Sequence, residues 1–580
     1  MTWTICEKRQ QILDATGHIL VTGGPGSGKT TIALVKALCR IRLGLSEGQS
    51  VLFLSFSRAA VARIAEEAKK QIPKADQKRL NIHTFHSFFW DILRAYGYLL
   101  GAPKRLKLLA PHDEKAMSDG IERDDQDPAW QAWGIERERL FHENGWTAFD
   151  LFAPKTAELL TRSERIRFIV ANRYPLVVVD EAQDTGPEQW ACVKALSERS
   201  QLLCLADLDQ QIFDFLPGIG PERIQEIELD LRPVRIDLGS ENNRSPGSEI
   251  AAFGYDILTA TIRNDPYKGV SQLNFHPKAE RRNLSIRRSV GIVSDIVERE
   301  TGHPPESIAL LASFDRGATV ISNALRDVAS PIFHKVLFDE AVTLLGSRFL
   351  AFLMEPKANA NHTNDLAQAL ELISSVFRAK GTVGALRRAR ELQLWAQQTR
   401  DGKSSTRAKL YTKLASILGA LQNNVFSGEP RKDWTLLRNM LRSTGVSELL
   451  AINQDLQYMM AFNRGKRIAS GLSIAWEDRG NYSSARQVLD AALAEDQILS
   501  GGENVSGIHV MTMHKSKGKQ FDAVIIFRSA HSAPFTWPRD PYPYRKSRKI
   551  LHVAITRASV HTMILNEAFP RCPILSQHRL

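Results

Sequence analysis

The feature that most constrains this chain is the run of residues 23–30, which reads GGPGSGKT. Its spacing, G-x-x-x-x-G-K-[ST], is that of a phosphate-binding loop. The short apolar run 19–22 before it predicts a buried strand, and residues 31–38 after it predict a helix. In that setting backbone N–H groups and the positive end of the helix meet phosphate oxygens at one place. A glycine-rich turn that matches by chance is the alternative, and the flanking strand and helix argue against it.

This loop defines the candidate nucleotide contacts. Lys29 is expected to reach the β- and γ-phosphates of ATP, and the Thr30 hydroxyl is expected to hold Mg²⁺. Upstream, Gln10 or Gln11 could read the adenine edge, because a side-chain amide offers both a donor and an acceptor. An exposed helix face is the alternative for either glutamine. The predicted ATP contacts are Gln10, Gly23, Gly24, Pro25, Gly26, Ser27, Gly28, Lys29, Thr30 and Thr31.

A second stretch supplies adjacent carboxylates. Residues 176–179 read LVVV and predict a buried strand, which is followed directly by Asp180 and Glu181. Asp180 is predicted to bind Mg²⁺ opposite Thr30. Glu181 is predicted to accept the proton of the attacking water. Two solvated acids in a strand-ending turn are the alternative.

Composition narrows the class of protein. A chain of 580 residues is too long for one ordinary core, so we expect several domains. The net charge of +12 suits a surface that binds a polyanion. The five cysteines are scattered, which argues against a cysteine-rich zinc or iron–sulfur site. No apolar run reaches the ~18 residues that span a bilayer and the start lacks a secretory pattern, so we expect a cytoplasmic protein without membrane contact.

Strand and helix patterns then alternate. Apolar runs at 51–57 and 201–206 predict further buried strands, and a helical pattern follows the first of them. Such alternation is typical of a parallel α/β sheet, in which ligands gather at the carboxyl ends of the strands.

Two long regions, 89–165 and 332–500, predict mainly helical structure. In the second, Leu366, Leu370 and Ile373 share one helical face, which indicates core packing. A basic belt in the same region either contacts duplex phosphates or is a solvated face. The belt consists of Arg387, Arg388, Arg390, Arg400, Lys403, Arg407, Lys409 and Lys413.

The chain resembles the UvrD/Rep group of superfamily 1 DNA helicases. A single motif would be weak support, whereas eight motifs in the family's order are specific. They are the phosphate-binding loop, residues 55–57, 84–87, 180–184, 210–215, 241–245, 510–518 and 552–558.

The resemblance implies an α/β fold with two RecA-like P-loop motor domains that have parallel sheets, each carrying a mainly helical insertion. The predicted boundaries are 1–88 with 166–234 for the first motor domain, 89–165 for its insertion, 235–331 with 501–580 for the second motor domain, and 332–500 for its insertion.

The resemblance also implies roles for individual residues. Arg244 and Arg557 would reach the γ-phosphate from the second motor domain, and Gln210 would sense it. The predicted catalytic residues are Lys29, Asp180, Glu181, Gln210, Arg244 and Arg557. The predicted DNA contacts are Phe56, Thr84, His86, Phe213, Phe215, Thr512, His514 and Lys517. For Phe213 and Phe215, one face of a core strand is the alternative to base stacking.

Several positions depart from the family pattern around the DNA and the base. Asn243 replaces an aromatic residue, Leu216 replaces an arginine, and Gln520 replaces a carboxylate. We therefore predict a divergent ATP- and Mg²⁺-dependent 3′→5′ translocase or helicase that acts on single-stranded DNA or single/double-strand junctions. The alternative is a nucleic-acid-sensing ATPase switch that unwinds weakly alone and works with a protein partner in a repair or phage-defence complex. An RNA helicase is a third and weaker hypothesis.

Overall fold

The structure is a computed structural model that describes residues 6–575, apart from 122, 125, 211–219, 221, 240–243, 327–329, 337–340, 358–361, 404–407, 424–425, 457–465, 499–505 and 538–539. The chain forms two compact units. Unit one consists of Met1–Ile92, Ala153–Leu337 and Ser500–Leu580, and unit two consists of Leu93–Phe152 and Phe338–Leu499.

The strands are β1 Ile19–Thr22, β2 Val51–Ser55, β3 Leu80–Thr84, β4 Lys107–Leu109, β5 Trp146–Ala148, β6 Leu176–Val179, β7 Gln201–Ala206, β8 Val234–Asp237, β9 Val270–Phe275, β10 Ser307–Ala312, β11 Lys335–Val336, β12 Gly507–Thr512, β13 Phe521–Arg528 and β14 Ala558–Glu567.

The helices are α1 Glu7–Asp14, α2 Lys29–Arg42, α3 Arg58–Gln71, α4 Lys74–Gln77, α5 Phe85–Tyr96, α6 Pro111–Met117, α7 Pro128–Asn144, α8 Phe152–Arg162, α9 Glu164–Arg173, α10 Pro187–Leu196, α11 Glu222–Leu231, α12 Ile250–Thr259, α13 Ala279–Thr301, α14 Asp315–Leu325, α15 Ala341–Met354, α16 His362–Lys380, α17 Val383–Arg400, α18 Lys409–Leu421, α19 Pro430–Ser443, α20 Ser447–Asp455, α21 Lys466–Arg479, α22 Ala485–Ile498 and α23 Arg545–Ile555. None of the helices in the described ranges is long and apolar enough to cross a membrane.

Unit one contains two six-stranded sheets whose neighbouring strands all pair in parallel. The order is β3-β2-β6-β7-β1-β8 in the first sheet and β11-β12-β10-β13-β14-β9 in the second. Parallel strands end at the same edge, so the residues after β1, β6 and β7 meet at one edge of the first sheet. The predicted α/β class with parallel sheets is confirmed.

The predicted start of the second motor domain at residue 235 is wrong. Residues 234–237 form β8, which pairs with β1 so that Ile236 lies beside Val21. Ile236 is buried in the core of the first sheet. The strand belongs there because β1 would otherwise be an edge with unpaired backbone groups.

Unit two gathers residues from both predicted insertions into one helical core. Ala116 of α6 lies in the same apolar cluster as residues of α15 and α16, including Leu366, Leu370 and Ile373. Arg348 of α15 pairs with Asp113 of α6. The two segments therefore pack as one body, whereas residues 153–165 of the predicted first insertion, with most of α8, belong to unit one.

The first insertion region is also less purely helical than predicted. It contains the two-stranded parallel sheet β4-β5. In the second region, three of the eight residues of the basic belt make local contacts, and Arg407 lies outside the described residues. Arg388 pairs with Glu448, Arg400 pairs with Glu371, and Lys409 donates to the Gly445 carbonyl.

Candidate active site

The phosphate-binding loop joins β1 to α2, as the sequence predicts. Gly28 is the N-cap of α2 and has a left-handed φ of 87°, a conformation that favours glycine. At Gly23 a Cβ would lie 2.7 Å from Ser27 Oγ. The loop can therefore wrap this tightly only with glycine at both positions.

The Lys29 ammonium lies inside this loop. Its Nζ donates to the Gly23 carbonyl at 2.6 Å and to the Gly24 carbonyl at 2.9 Å. It also lies 3.3 Å from Asp207 Oδ2, at the end of β7. Thr30 follows in the first turn of α2 and is half-buried. A lysine charge thus stands at the helix N-terminus, where phosphate oxygens are favoured.

Asp180 and Glu181 follow β6 at the same edge. Ser55 Oγ, at the end of β2, donates to Asp180 Oδ2 at 3.1 Å. Burial, together with the neighbouring Glu181 charge, raises the pKa of Asp180 to about 6. Glu181 has a left-handed φ of 53°, which is costly for a side chain of this size. This strained turn lies directly after β6 and carries both carboxylates.

Glu181 is held ionised despite its burial. Burial alone would raise the pKa of Glu181, but the charges of Lys517 and Lys29 and a hydrogen bond from Gln183 outweigh it and lower that pKa. The Gln183 Nε2 group donates to Glu181 Oε2 at 2.6 Å. An ionised carboxylate fixed by a donor is suited to accept a proton from water.

Two amides and one carboxylate extend this network. Gln183 Oε1 accepts from the Asp207 backbone N–H at 3.0 Å, and Gln210 Nε2 donates to Asp207 Oδ2 at 2.7 Å. Sequence reasoning did not select Gln183 or Asp207 as site residues. Both lie within a few residues of the carboxyl end of a predicted strand. That position is the sequence signal that could have identified them as site residues.

Two arginines lie beside this network, Arg557 directly before β14 of the second sheet and Arg244 before α12. Arg557, after α23, is 1% exposed; its Nη2 donates to Gln210 Oε1, and its Nε donates to the Val553 carbonyl at 2.9 Å. Burial lowers the pKa of Arg557 to about 10, so it remains charged at neutral pH. Arg244 Nη1 donates to the Thr556 carbonyl at 2.9 Å. Burial, then the charge of Arg557, lowers the pKa of Arg244. Both arginines are thus held by backbone carbonyls at the C-terminal end of α23.

The structure places Lys517 inside the fold, whereas the sequence predicts it as a DNA contact. It is buried, its ammonium forms an ion pair with the fully buried Asp184, and it donates to the Gln210 carbonyl at 2.6 Å. Burial raises the pKa of Asp184 to about 7, against the opposing charge of Lys517. A buried carboxylate needs such a cation, so this lysine bridges the two sheets instead of facing a DNA backbone.

Other residues that are predicted to contact DNA also make contacts inside the fold. Thr84 is buried, and its Oγ1 accepts from the Ser87 N–H at 3.0 Å, capping α5. The Phe56 ring packs on Phe85 with centroids 4.8 Å apart. His86 is half-buried.

The remaining DNA candidates lie near the end of β12 or outside the described residues. Thr512 is buried at the strand end. The His514 ring meets Trp537 edge-on with centroids 5.2 Å apart. Phe213 and Phe215 lie outside the described residues. The role of all these residues toward DNA stays a prediction.

The glutamines of α1 do not face the loop. Gln10 and Gln11 are exposed, and Gln10 Nε2 donates to Asp14 Oδ1 at 2.8 Å. Arg9 is buried instead, and its Nη2 lies 3.4 Å from the Ser27 carbonyl oxygen. The contact from α1 to the phosphate-binding loop therefore comes from a guanidinium.

The donor set fits Mg²⁺ better than a protein-only metal cage. Within the described residues, no group of three or more His, Cys, Asp and Glu side chains could hold a metal ion. Mg²⁺ typically takes one or two protein oxygens and completes its shell with phosphate and water. Thr30 and Asp180 offer such oxygens, and the Ser55 hydrogen bond to Asp180 uses Oδ2.

Two family models match the chain. The model described as the UvrD/REP helicase N-terminal domain matches residues 6–134 and 121–227, and the model described as the UvrD-like helicase C-terminal domain matches residues 507–565. The chain is 26% identical to the ATP-dependent DNA helicase Rep of Escherichia coli (strain K12), over 95% of this chain and 89% of Rep.

Two further relatives match at similar coverage. The putative ATP-dependent DNA helicase YjcD of Bacillus subtilis (strain 168) is 23% identical over 96% of this chain and 78% of its own length. The ATP-dependent DNA helicase PcrA of Staphylococcus aureus (strain Mu50 / ATCC 700699) is 20% identical over 95% of this chain and 81% of its own length.

Proposed function

The chain belongs to the UvrD/Rep family of helicases, and from that premise we propose that it is a Mg²⁺-dependent ATPase that moves 3′→5′ along single-stranded DNA. One observation carries the hydrolytic part of the proposal. Lys29 and Asp207 of the first sheet are linked through Gln210 to Arg557 of the second sheet. The phosphate-binding loop is thus connected, through Asp207 and Gln210, to an arginine supplied by the other sheet.

The chemistry required of these residues is mainly electrostatic. Phosphoryl transfer spreads negative charge over the equatorial oxygens, and an arginine placed there adds roughly 10³–10⁵ in rate. Lys29, Arg557 and Arg244 provide the cations, and Glu181 takes the proton of the attacking water. Mg²⁺ held by Thr30 and Asp180 would neutralise charge between the β- and γ-phosphates.

Movement on DNA follows if the two sheets change their separation during the cycle. The cations come from both sheets, so hydrolysis requires that both close on the nucleotide. Alternate closing and opening would advance a strand bound across them. The proposed substrates are single-stranded DNA and single/double-strand junctions.

The steady-state ATPase rate tests this proposal. It should be measured without nucleic acid, with single-stranded DNA and with single-stranded RNA, in the wild type and in Arg557→Ala. We expect strong stimulation by DNA and a loss of at least about 10³-fold in Arg557→Ala. Lys432→Ala is the matched control, because Lys432 is an exposed cation paired with Glu429 in unit two. A rate indifferent to DNA would refute the translocase, and normal turnover in Arg557→Ala would refute the site.

A second candidate function is an ATPase switch that senses nucleic acid within a repair or defence complex. The burial of Thr84, Thr512 and Lys517 favours it, since three of the predicted DNA contacts are used inside the fold. Strand-displacement assays separate the two functions. A switch would hydrolyse ATP on DNA yet displace no strand without a protein partner.

A further inference from the structure

Helix α1 lies on the flank of the phosphate-binding loop that is opposite to the catalytic carboxylates. In the first sheet β1 has β7 on one side and β8 on the other. Asp180 and Asp207 follow β6 and β7, whereas α1 packs on α2 and β8. Lys8 of α1 donates to the Asp237 carbonyl in β8 at 2.7 Å. Gln210 and α1 thus lie on opposite flanks of the loop, so a nucleotide whose γ-phosphate met Gln210 would extend its base toward α1.

The side chain that α1 directs into this flank is Arg9. It is 7% exposed, and its Nη2 lies 3.4 Å from the Ser27 carbonyl oxygen. The same nitrogen would be 3.8 Å from a Cβ placed on Gly28. Gln10 and Gln11, on the same helix, are exposed to solvent. The group nearest the base end of the loop is thus a guanidinium and not an amide.

The two groups read purines differently. A guanidinium has five donors and no acceptor, whereas a side-chain amide has both. Adenine presents an acceptor at N7 beside the donor amino group N6, which an amide matches. Guanine presents two acceptors, N7 and O6, which a guanidinium matches with two parallel N–H groups.

We propose that Arg9 selects the base in this site and that the site therefore accepts GTP at least as well as ATP. The proposal rests on the proposed nucleoside triphosphatase and adds the class of base that it takes.

The test compares kcat/KM for GTP and ATP in the full chain with single-stranded DNA present. We expect a wild-type GTP/ATP ratio of about one or more. Arg9→Gln should lower that ratio at least about tenfold, because a bidentate pair discriminates between bases by roughly 5- to 150-fold. Arg9→Lys keeps the charge but loses the paired donors, so its ratio should also fall. Glu7→Gln, at an exposed position of α1, is the control and should keep the wild-type ratio.

A binding readout separates base selection from a structural role. Competition of GTP and ATP against a fluorescent nucleotide should show the same change in ratio in Arg9→Gln, even if that variant hydrolyses slowly. Equal weakening of both nucleotides in Arg9→Gln would overturn the proposal and leave Arg9 as a support of the loop. A wild type that strongly prefers ATP, or a ratio that changes in Gln10→Ala instead, would also overturn it.

The proposal and the hydrolytic function fail in different ways. If the wild type hydrolyses neither nucleotide, the ATPase proposal fails, while competition binding still reports the base preference. If it hydrolyses ATP on DNA but rejects GTP, only the role of Arg9 fails.

Discussion

The Lys517–Asp184 pair offers a sharp test of how the two sheets are held. Lys517 follows β12 of the second sheet, and Asp184 follows β6 of the first. The Asp184 side chain is 0% exposed and that of Lys517 is 8% exposed. Lys517→Met removes the cation at similar length and leaves the carboxylate buried alone.

The magnitude follows from the raised pKa of Asp184. A value of about 7, against 3.8 for an ordinary aspartate, makes its ionised form about 4 kcal/mol less favourable in the folded than in the unfolded chain. That is the cost with Lys517 in place. Without Lys517 the carboxyl group stays protonated in the fold, and at pH 8 a group whose pKa was about 7 then forgoes about 1.4 kcal/mol. The hydrogen bond from Lys517 to the Gln210 carbonyl is lost as well, at about 1 kcal/mol, so we expect Lys517→Met to lose about 2 kcal/mol of local stability at pH 8.

The loss should depend on pH in a defined direction. Because the folded pKa of Asp184 is raised, the unfolded chain releases this proton first as pH rises above about 4. The free energy of unfolding therefore falls as pH rises from about 4 toward the pKa of Asp184 in the folded chain. Without Lys517 that folded pKa lies higher still. At pH 6 the carboxyl group is largely protonated in the fold, so the variant should lose clearly less there than at pH 8.

Hydrogen exchange of the backbone amides in β6, β7 and β12 measures this local stability. It is preferable to a global midpoint, because a chain of two units need not unfold in one step. Asp184→Asn combined with Lys517→Met should lose less than the sum of the single variants, since neither charge remains buried. Lys432→Met, at an exposed pair, should stay within about 0.5 kcal/mol of wild type. Equal losses at pH 6 and pH 8, or a loss below about 1 kcal/mol at pH 8, would refute the reasoning.

Three further variants test the site itself. Lys29→Ala should abolish ATP hydrolysis, measured as phosphate release, because it removes the cation that lies within the phosphate-binding loop; persistent turnover would contradict the assignment. Glu181→Gln should bind ATP and remain trapped on DNA, measured by filter binding, because the amide cannot accept the water proton; rapid release from DNA after ATP addition would contradict it. Gly518→Ala should slow DNA-stimulated ATPase at least about tenfold, because a Cβ there would lie 2.8 Å from Ser57 Oγ, at a left-handed φ of 78°; an unchanged rate would show that the two segments separate freely.

Local patterns predicted the catalytic edge of the first sheet well. The phosphate-binding loop, β1 and β6 each follow from a short run in which spacing and apolar character decide the structure. The edge strands β8 and β9 were not recognised as members of the sheets. Their sequences, VRID and VSQLNF, lack the continuous apolar run that marks the central strands, and they complete the sheets by pairing with β1 and β14.

The side-chain network was less predictable because its contacts are remote in sequence. Lys517 meets a carboxylate 333 residues away, and nothing in its own motif distinguishes a buried ion pair from a DNA contact. Arg9 stands beside two glutamines, and only the packing of α1 decides which of the three faces the loop. The joining of the two helical insertions in one core likewise depends on contacts between α6 and α15 that no local pattern encodes.

Gln210 is one residue through which events at one sheet can reach the other. Its Nε2 binds Asp207, its Oε1 accepts from Arg557, and its backbone carbonyl accepts from Lys517. Asp207 in turn lies within 3.3 Å of the Lys29 ammonium. A bound phosphate would attract the Lys29 ammonium away from Asp207. Asp207 would then bind Gln210 without the lysine, and the position of the Gln210 amide that accepts from Arg557 would change. The nucleotide and the second sheet would therefore act on one side chain, which is the coupling that the proposed translocase requires.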